Sequence, residues 1–132
     1  MMRKILVVGA GKSTSYLIDY FLEKAADENL HLTIGDINPD AISSHIKNHE
    51  NCTVIQLDIF NDDDRKSTIK ESDIVVSMLP ARMHMKVAKD CISFDRLTIQ
   101  LISNEYIGLF KLRFCYVIEF FVFIQVLIPQ CK

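Results

Sequence analysis

The sequence has no surplus of positive charge, and this absence bears on its partners. Its 132 residues contain 15 lysines and arginines against 17 aspartates and glutamates, so the formal net charge is −2. A protein that binds nucleic acid tightly needs a basic surface that neutralises phosphates. The charge balance therefore argues against a nucleic-acid partner.

Cysteines are few and widely separated. They form no C-x-x-C pair and no cluster with histidine at the spacing of zinc ligands, and they stand at Cys52, Cys91, Cys115 and Cys131. We therefore predict no metal site and interpret the cysteines as reduced thiols of a cytoplasmic protein. The uncharged stretch after Lys4 is too short for the apolar core of a signal peptide, so nothing there directs secretion.

The chain is also too short for two domains of ordinary size. Domains cluster at roughly 100–150 residues, and this chain has 132. Hydrophobic residues make up 49% and charged residues 24%, a composition typical of a globular protein. We therefore expect one compact domain, with no room for a separate substrate domain.

Short apolar runs alternate with segments of helical periodicity in the first part of the chain. This pattern predicts strands at 4–8, 31–35, 53–57 and 73–78, and helices at 13–26, from Pro39 through Ile46, at 62–70 and at 83–94. Strands that alternate with helices are typical of a parallel sheet covered on both faces. The sequence therefore predicts an α/β fold, a Rossmann-type doubly wound sheet with at least four parallel strands.

The sequence changes character after the fourth predicted helix. From Leu97 the alternation is lost, and residues 106–132 form an atypical tail rich in Phe, Ile, Leu and Val. A membrane anchor is disfavoured, because the apolar stretch 114–128 is shorter than the roughly 20 residues that span a bilayer and contains Glu119 and Gln125. Two interpretations stay open: the frameshifted or truncated end of a longer reading frame, or a fifth strand followed by a hydrophobic helix. An unburied tail would serve as a surface for aggregation or for a homodimer.

A glycine-rich turn joins the first predicted strand to the first helix. The segment Gly9-Ala10-Gly11-Lys12-Ser13-Thr14 is similar to the G-x-G-x-x-G fingerprint, which places a dinucleotide pyrophosphate on free N–H groups of a helix N-terminus. Gly9 would allow the tight turn and Gly11 the approach of the phosphates, while Thr14 replaces the third glycine. Ser13 would either donate its hydroxyl to a phosphate or act as an N-cap.

The same turn also matches the end of a P-loop, G-x-x-x-x-G-K-[ST]. That motif needs a glycine five residues before Gly11, where this sequence has Leu6 inside the strand. The loop is therefore too short to surround a triphosphate, and a P-loop NTPase is disfavoured.

Carboxylates after the second and third strands predict the adenosine half of a dinucleotide site. Asp36 follows the second strand, 25 residues after Gly11, and would accept hydrogen bonds from the ribose hydroxyls. Because its charge would repel a 2′-phosphate, Asp36 favours NAD over NADP, with NADP use left open; its alternative role is to cap the helix near Pro39. Asp58 and Ile59 would border the adenine, and a solvated turn is the alternative.

The fourth strand ends in Leu79-Pro80, at the edge of the sheet where ligands bind in such folds. Leu79 and Pro80 would form an apolar wall beside the ribose of the nicotinamide. Arg82 and His84 are the nearby candidates for binding a substrate carboxylate or transferring a proton, and solvated positions at a helix N-terminus are the alternative. The sequence identifies no catalytic residue.

These residues resemble the nucleotide-binding part of the saccharopine dehydrogenase family, above all its glutamate-forming saccharopine reductases. The likeness covers roughly 3–94. It rests on I-L-V-V-G-A-G at 5–11, L-T-I-G-D at 32–36, Q-L-D-I at 56–59, D-I-V-V-S-M-L-P at 73–80, His84 and V-A-K-D-C-I at 87–92. The resemblance implies NAD(P)-dependent oxidation of saccharopine, a small amino-acid-derived substrate, to glutamate and aminoadipate semialdehyde in lysine metabolism.

The resemblance also implies cofactor-binding positions at Gly9, Gly11, Ser13, Asp36, Asp58, Ile59, Leu79 and Pro80. It transfers no role to Arg82, which stands where the reductases often have an aromatic residue. It implies an NAD(P)-binding domain at 1–105 before the tail at 106–132, with the substrate domain of the family absent and Ser103-Asn104-Glu105 as the last remnant of the family pattern.

Because the family's substrate domain has no counterpart in the sequence, we expect the chain alone to be inactive on saccharopine. Two alternatives stay open. One is a stand-alone NAD(H)-sensing module, in which the cofactor shifts an association equilibrium without catalysis. The other is a non-functional gene fragment.

Overall fold

A computed structural model of the protein describes residues 2–11, 14–46, 48–100 and 115–116. Its strands are β1 (Arg3–Val8), β2 (Leu30–Asp36), β3 (Cys52–Gln56), β4 (Ile74–Ser77), β5 (Leu97–Gln100) and β6 (Cys115–Tyr116). Its helices are α1 (Thr14–Ala25), α2 (Asp40–Ile46), α3 (Asp62–Lys70) and α4 (Ala81–Ser93). Strands and helices alternate up to β5, as the sequence predicts up to α4.

All strand pairs are parallel, and the strand order is β3-β2-β1-β4-β5-β6. Val8, the last residue of β1, pairs with Gly35 on one side and with Ser77 on the other. The chain reverses its direction of winding between β1 and β4, which makes their carboxyl ends the switch point where such sheets bind ligands. The prediction of a Rossmann-type doubly wound α/β fold is confirmed.

Helices cover both faces of the sheet, and burial on both faces requires central strands that are continuously apolar. Successive side chains of a strand point to opposite faces. Ile5 and Val7 therefore join one cluster, with α1 and α2. Leu6 and Val8 join the other, with α3 and α4. This double burial explains why β1 reads as an uninterrupted run of Ile, Leu and Val.

The second and fourth helices begin at other residues than the sequence predicts. The second helix begins at Asp40, because Pro39 lies just before it and its carbonyl accepts hydrogen bonds from Ile42 and Ser43. The fourth begins at Ala81, two residues earlier than predicted, directly after the N-cap Pro80. Proline is favoured where a helix starts, because a missing N–H costs nothing there.

The sheet extends beyond the four predicted strands. Strand β5 begins at Leu97, where the alternation weakens in the sequence, and pairs with β4; the two-residue β6 pairs with β5. The open interpretations of the tail otherwise concern 101–114 and 117–132, which lie outside the described residues. Within the part of the chain that is described, no helix is both long and apolar enough to cross a membrane.

Candidate nucleotide site

A pocket of about 100 Å³ opens where the carboxyl ends of the central strands meet. Five of the eight predicted cofactor residues line it: Gly9, Asp36, Asp58, Ile59 and Leu79. Val8, Gly35, Ile37, Leu57, Phe60 and Met83 complete the lining. The structure therefore brings together residues from after β1, β2, β3 and β4 that are far apart in the sequence.

Gly9 makes the tight turn after β1. Its φ is +90°, a region that side chains with a Cβ rarely adopt. A Cβ there would also lie 3.2 Å from Leu79 Cδ2 and 3.3 Å from the Met78 carbonyl oxygen. The Gly9 N–H donates to the Gly35 carbonyl at 2.9 Å, which fixes the turn against β2. Glycine is therefore required at this position by the backbone and by packing.

Gly11 differs from Gly9, because neither packing nor φ requires a glycine there. Apart from its chain neighbours, a Cβ at Gly11 would meet no atom of the described residues within 4 Å. Its carbonyl accepts from the Thr14 N–H at 2.9 Å, which leads the chain into α1. The space in front of Gly11 is open, as the approach of a pyrophosphate to the backbone requires.

Thr14 occupies the position of the third glycine in the fingerprint. It is 1% exposed, and its hydroxyl donates to the Gly9 carbonyl at 3.4 Å. The threonine is thus buried between turn and helix. Lys12 and Ser13 lie outside the described residues, so the predicted phosphate contact of Ser13 stays a prediction.

Asp36 connects the end of β2 to the glycine-rich turn. Its Oδ2 accepts from the Ala10 N–H at 2.8 Å, and its Oδ1 accepts from the Asn38 N–H at 2.7 Å. The second bond lies in the turn before α2, which begins at Asp40. A carboxylate has about four acceptor sites, so both oxygens keep capacity for ribose hydroxyls.

The turn after β3 supplies the far wall of the pocket. Asp58 Oδ1 accepts from the Phe60 N–H at 2.9 Å and so stabilises its own turn. Ile59 is 5% exposed, whereas Phe60 and Ile37 are 60% and 65% exposed although both line the pocket. Two large apolar side chains at a pocket mouth offer the flat apolar surface that a purine base buries.

The end of β4 contributes less than the sequence predicts. Leu79 lines the pocket, but Pro80 is the N-cap of α4 and is not among the lining residues. Arg82 is exposed in the first turn of α4. His84 is 3% exposed, and its Nδ1 is hydrogen-bonded to Ser77 Oγ at 2.7 Å. Neither Arg82 nor His84 lines this pocket, and His84 instead joins α4 to β4.

Several lining residues are not predicted from the sequence. Gly35 had a usable signal, since an isolated glycine in a strand often marks a close approach. A Cβ there would lie 2.7 Å from Leu57 Cδ2 and 3.1 Å from Leu57 Cβ. For Ile37 and Phe60, the only signal in the sequence is that they follow Asp36 and Ile59. Across the described part of the chain, no three His, Cys, Asp or Glu side chains are grouped to hold a metal ion.

Comparison with known proteins points to one family. A family profile described as "Saccharopine dehydrogenase NADP binding domain" matches residues 5–105. The alpha-aminoadipic semialdehyde synthase of Bos taurus, named as mitochondrial, is 27% identical over 106 residues. That match covers 80% of this chain and 11% of the bovine protein.

Solved structures support the same fold. The apo saccharopine dehydrogenase (L-Glu forming) of Saccharomyces cerevisiae superposes with a TM-score of 0.66 at 21% identity, covering 77% of this chain and 22% of that one. A short-chain dehydrogenase/reductase of Veillonella parvula, solved in complex with NADP, gives 0.60 at 19% identity and covers 79% of this chain and 49% of that one. At these identities the likeness establishes the fold alone. The family profile spans most of the chain and includes the glycine turn, Asp36 and the end of β4, so the chain belongs to the family of saccharopine dehydrogenase NADP-binding domains.

Proposed function

We propose that this chain binds NAD(H) at the glycine-rich turn and the adjoining pocket, as the dinucleotide-binding part of a saccharopine dehydrogenase-like oxidoreductase. The observation that carries the proposal is the open space at Gly11, just before the N-terminus of α1. Gly11 directly follows Ala10, whose N–H donates to Asp36. The pyrophosphate would meet the N–H groups that begin α1, where the helix dipole favours negative charge. Ser13 is proposed to add its hydroxyl to a phosphate.

The remaining contacts follow from the order of residues around the pocket. Asp36 would accept from the adenosine ribose hydroxyls, and the adenine would lie against Ile59, with Asp58 at its edge. Leu79 would border the ribose of the nicotinamide, and Pro80, which lies outside this pocket at the start of α4, is proposed to extend that border. When bound, the nicotinamide ring accepts or gives the hydride, while the protein supplies binding, orientation and electrostatics.

We propose a preference for NAD(H) over NADP(H). Asp36 is the reason, because its carboxylate would face the 2′-phosphate of NADP. Two negative charges in close contact repel each other. The description of the family names NADP, so this preference is a property proposed for this chain.

The reaction proposed for the complete enzyme type is the oxidation of saccharopine to glutamate and aminoadipate semialdehyde. The bovine relative is named for the semialdehyde and the yeast structure for saccharopine. The match spans 11% of the bovine protein. We propose that this domain by itself binds the cofactor without oxidising saccharopine, since neither Arg82 nor His84 lines the pocket. We also propose that it does so in the cytoplasm, as its widely spaced thiols favour.

Calorimetric titration with NADH and NADPH tests the proposal. We expect saturable binding of NADH that is stronger than binding of NADPH. Gly11→Val should keep the fold, because a Cβ at this position meets no atom of the described residues within 4 Å, its chain neighbours aside. Its side chain should abolish binding by filling the space meant for the pyrophosphate. Glu23→Ala, on the exposed side of α1, is the matched control and should bind as the wild type does.

Two outcomes would contradict this proposal. A folded wild-type protein that binds neither dinucleotide refutes the binding function. Equal binding by Gly11→Val and the wild type refutes the placement of the pyrophosphate. Incubation with saccharopine and NAD, followed by NADH absorbance, tests the absence of turnover separately.

A further inference from the structure

Arg65 is a buried cation between α3 and α4. It lies in the first half of α3 and is 5% exposed. Its Nε donates to Asp90 Oδ2 at 2.5 Å, and its Nη1 donates to the Ile59 carbonyl and, at 2.8 Å, to Asp62 Oδ1. One guanidinium thus holds two helices and a main-chain carbonyl of the preceding turn.

The partner Asp90 is buried as well. It lies on α4 and is 7% exposed. Burial alone would lower the pKa of Arg65, but the hydrogen bonds and charges of Asp90 and Asp62 raise it above its ordinary value. A buried ion pair needs good geometry merely to offset the cost of desolvation, and replacing it by apolar residues is often neutral for stability. Stability alone is therefore a weak reason for this pair.

The bond to Ile59 connects the ion pair to the pocket. Ile59 lines the pocket between Asp58 and Phe60, in the turn that leads from β3 into α3. The far end of this turn is fixed by Asn61, which caps α3 by accepting from the Asp64 N–H. The Ile59 carbonyl, halfway along the turn, is fixed by Arg65.

We propose that Arg65, held in place by Asp90, is a positioning residue for the adenine end of the dinucleotide site. It touches no ligand in this proposal. By fixing the Ile59 carbonyl it keeps the side chains of Ile59 and Phe60 where the base would meet them. The inference rests on the proposed function, because it presupposes a dinucleotide in this pocket.

Arginine suits this role better than lysine. The planar guanidinium presents its N–H donors in a fixed fork, whereas the lysine ammonium is a single compact charge on a flexible stem. Here Nε is directed at Asp90 and Nη1 at Ile59. A lysine at position 65 would reach one of these acceptors at a time.

The test separates the two halves of the dinucleotide. The main variant is Arg65→Met with Asp90→Leu, which removes both charges together and leaves no buried charge unpaired. The probes are NADH, AMP as the adenine half, and nicotinamide mononucleotide as the other half, titrated by NMR so that weak binding is measured. Lys66→Met, at an exposed neighbour on α3, controls for the replacement of a basic side chain by methionine on this helix.

The double variant should bind AMP and NADH about tenfold more weakly, because the Ile59 carbonyl loses its hydrogen bond to the charged Arg65. Its affinity for nicotinamide mononucleotide should stay unchanged. Arg65→Lys, which keeps a positive charge beside Asp90 and so guards against loss of the fold, should also weaken AMP binding. Lys66→Met should bind all three probes as the wild type does.

The inference is overturned if both Arg65 variants, folded, bind AMP as the wild type does. It is also overturned if affinity for both halves falls equally, because the pair would then support the whole domain and not the adenine end. A wild-type protein that binds neither AMP nor NADH would instead refute the proposed function itself.

Discussion

The backbone N–H of Ala10 donates to Asp36 Oδ2 at 2.8 Å, which joins the glycine-rich turn to the end of β2. The residue proposed to hold the ribose therefore also holds the loop proposed to hold the pyrophosphate. Its other oxygen accepts from the Asn38 N–H, so the carboxylate is oriented from both sides. A change at Asp36 is expected to disturb both parts of the site.

The first prediction concerns Asp36→Ala and Asp36→Asn. Hydrogen bonds to charged groups contribute about 1.5–3 kcal/mol, and 1.4 kcal/mol is tenfold in affinity. We expect Asp36→Ala to weaken NADH binding by about 10-fold to 100-fold in calorimetric titrations. Asp36→Asn should be intermediate, because its amide oxygen still accepts from Ala10, and both variants should lose most of the preference for NADH over NADPH.

Asp63→Asn serves as the control for these variants, because Asp63 is exposed on α3 and its change removes the same charge. It should leave both affinities unchanged. If the preference for NADH survived in Asp36→Ala, the carboxylate would not be the group that discriminates between the cofactors.

The second prediction compares two glycines. A Cβ at Gly35 would lie 2.7 Å from Leu57 Cδ2 and 3.1 Å from Leu57 Cβ, so Leu57 must move. Overpacking of this kind typically costs about 1–3 kcal/mol, and we expect that loss in the free energy of unfolding of Gly35→Ala, measured with urea. Gly11→Ala meets no atom within 4 Å and should unfold as the wild type does. Equal stability of the two variants would contradict the close contact of Gly35 with Leu57.

The third prediction concerns the contact between β4 and α4. Ser77 is fully buried, and its Oγ lies 2.7 Å from His84 Nδ1. Ser77→Ala removes this partner inside the core, which typically costs about 1–3 kcal/mol. Ser93→Ala, at the exposed end of α4, is the control and should change the free energy of unfolding by less than about 0.5 kcal/mol. A Ser77→Ala protein as stable as the control would show that the hydrogen bond contributes nothing net.

The fourth prediction concerns the thiol of Cys52 in β3. Burial raises its pKa to about 11 from an ordinary value of 9.0. The thiolate fraction at pH 8 should therefore be roughly 100-fold lower than that of an unperturbed thiol, and the thiolate is the reactive form. Alkylation of Cys52 by iodoacetamide, followed by mass spectrometry of its peptide, should be correspondingly slower in the folded protein than in urea. Equal rates would contradict the burial of the thiol.

The same shift has a consequence for stability. The folded state holds the Cys52 proton more tightly than the unfolded state does. The protonated thiol therefore contributes to the free energy of unfolding fully below pH 9, and this contribution is lost as the pH rises towards 11. Over this pH range, the free energy of unfolding of Cys52→Ala should fall less than that of the wild type. Urea unfolding of both proteins between these pH values measures the difference.

The sequence by itself determined the order and type of the elements. Apolar runs with a period of 2 or 3.6 are a local property, so the predicted strands agree with β1 to β4 and the predicted helix at 62–70 coincides with α3 (Asp62–Lys70). The glycine turn and Asp36 were readable for the same reason, because strand, turn and helix follow one another directly in the chain. Strand β5 was harder to see, since its four residues follow a loss of alternation and gain their strand partner from β4.

Only the tertiary structure decided which polar residues are buried and which apolar ones border the pocket. His84 reads as a helix-start residue free to act on a substrate, but packing of α4 on β4 places it against Ser77. Phe60 is a large apolar residue that nevertheless is 60% exposed and lines the pocket. The partnership of Arg65 with Asp90 spans 25 residues and depends on how α3 and α4 pack, which no local periodicity encodes. Local patterns specify elements, whereas burial and hydrogen-bond partners are set by the contacts between elements that are distant in the chain.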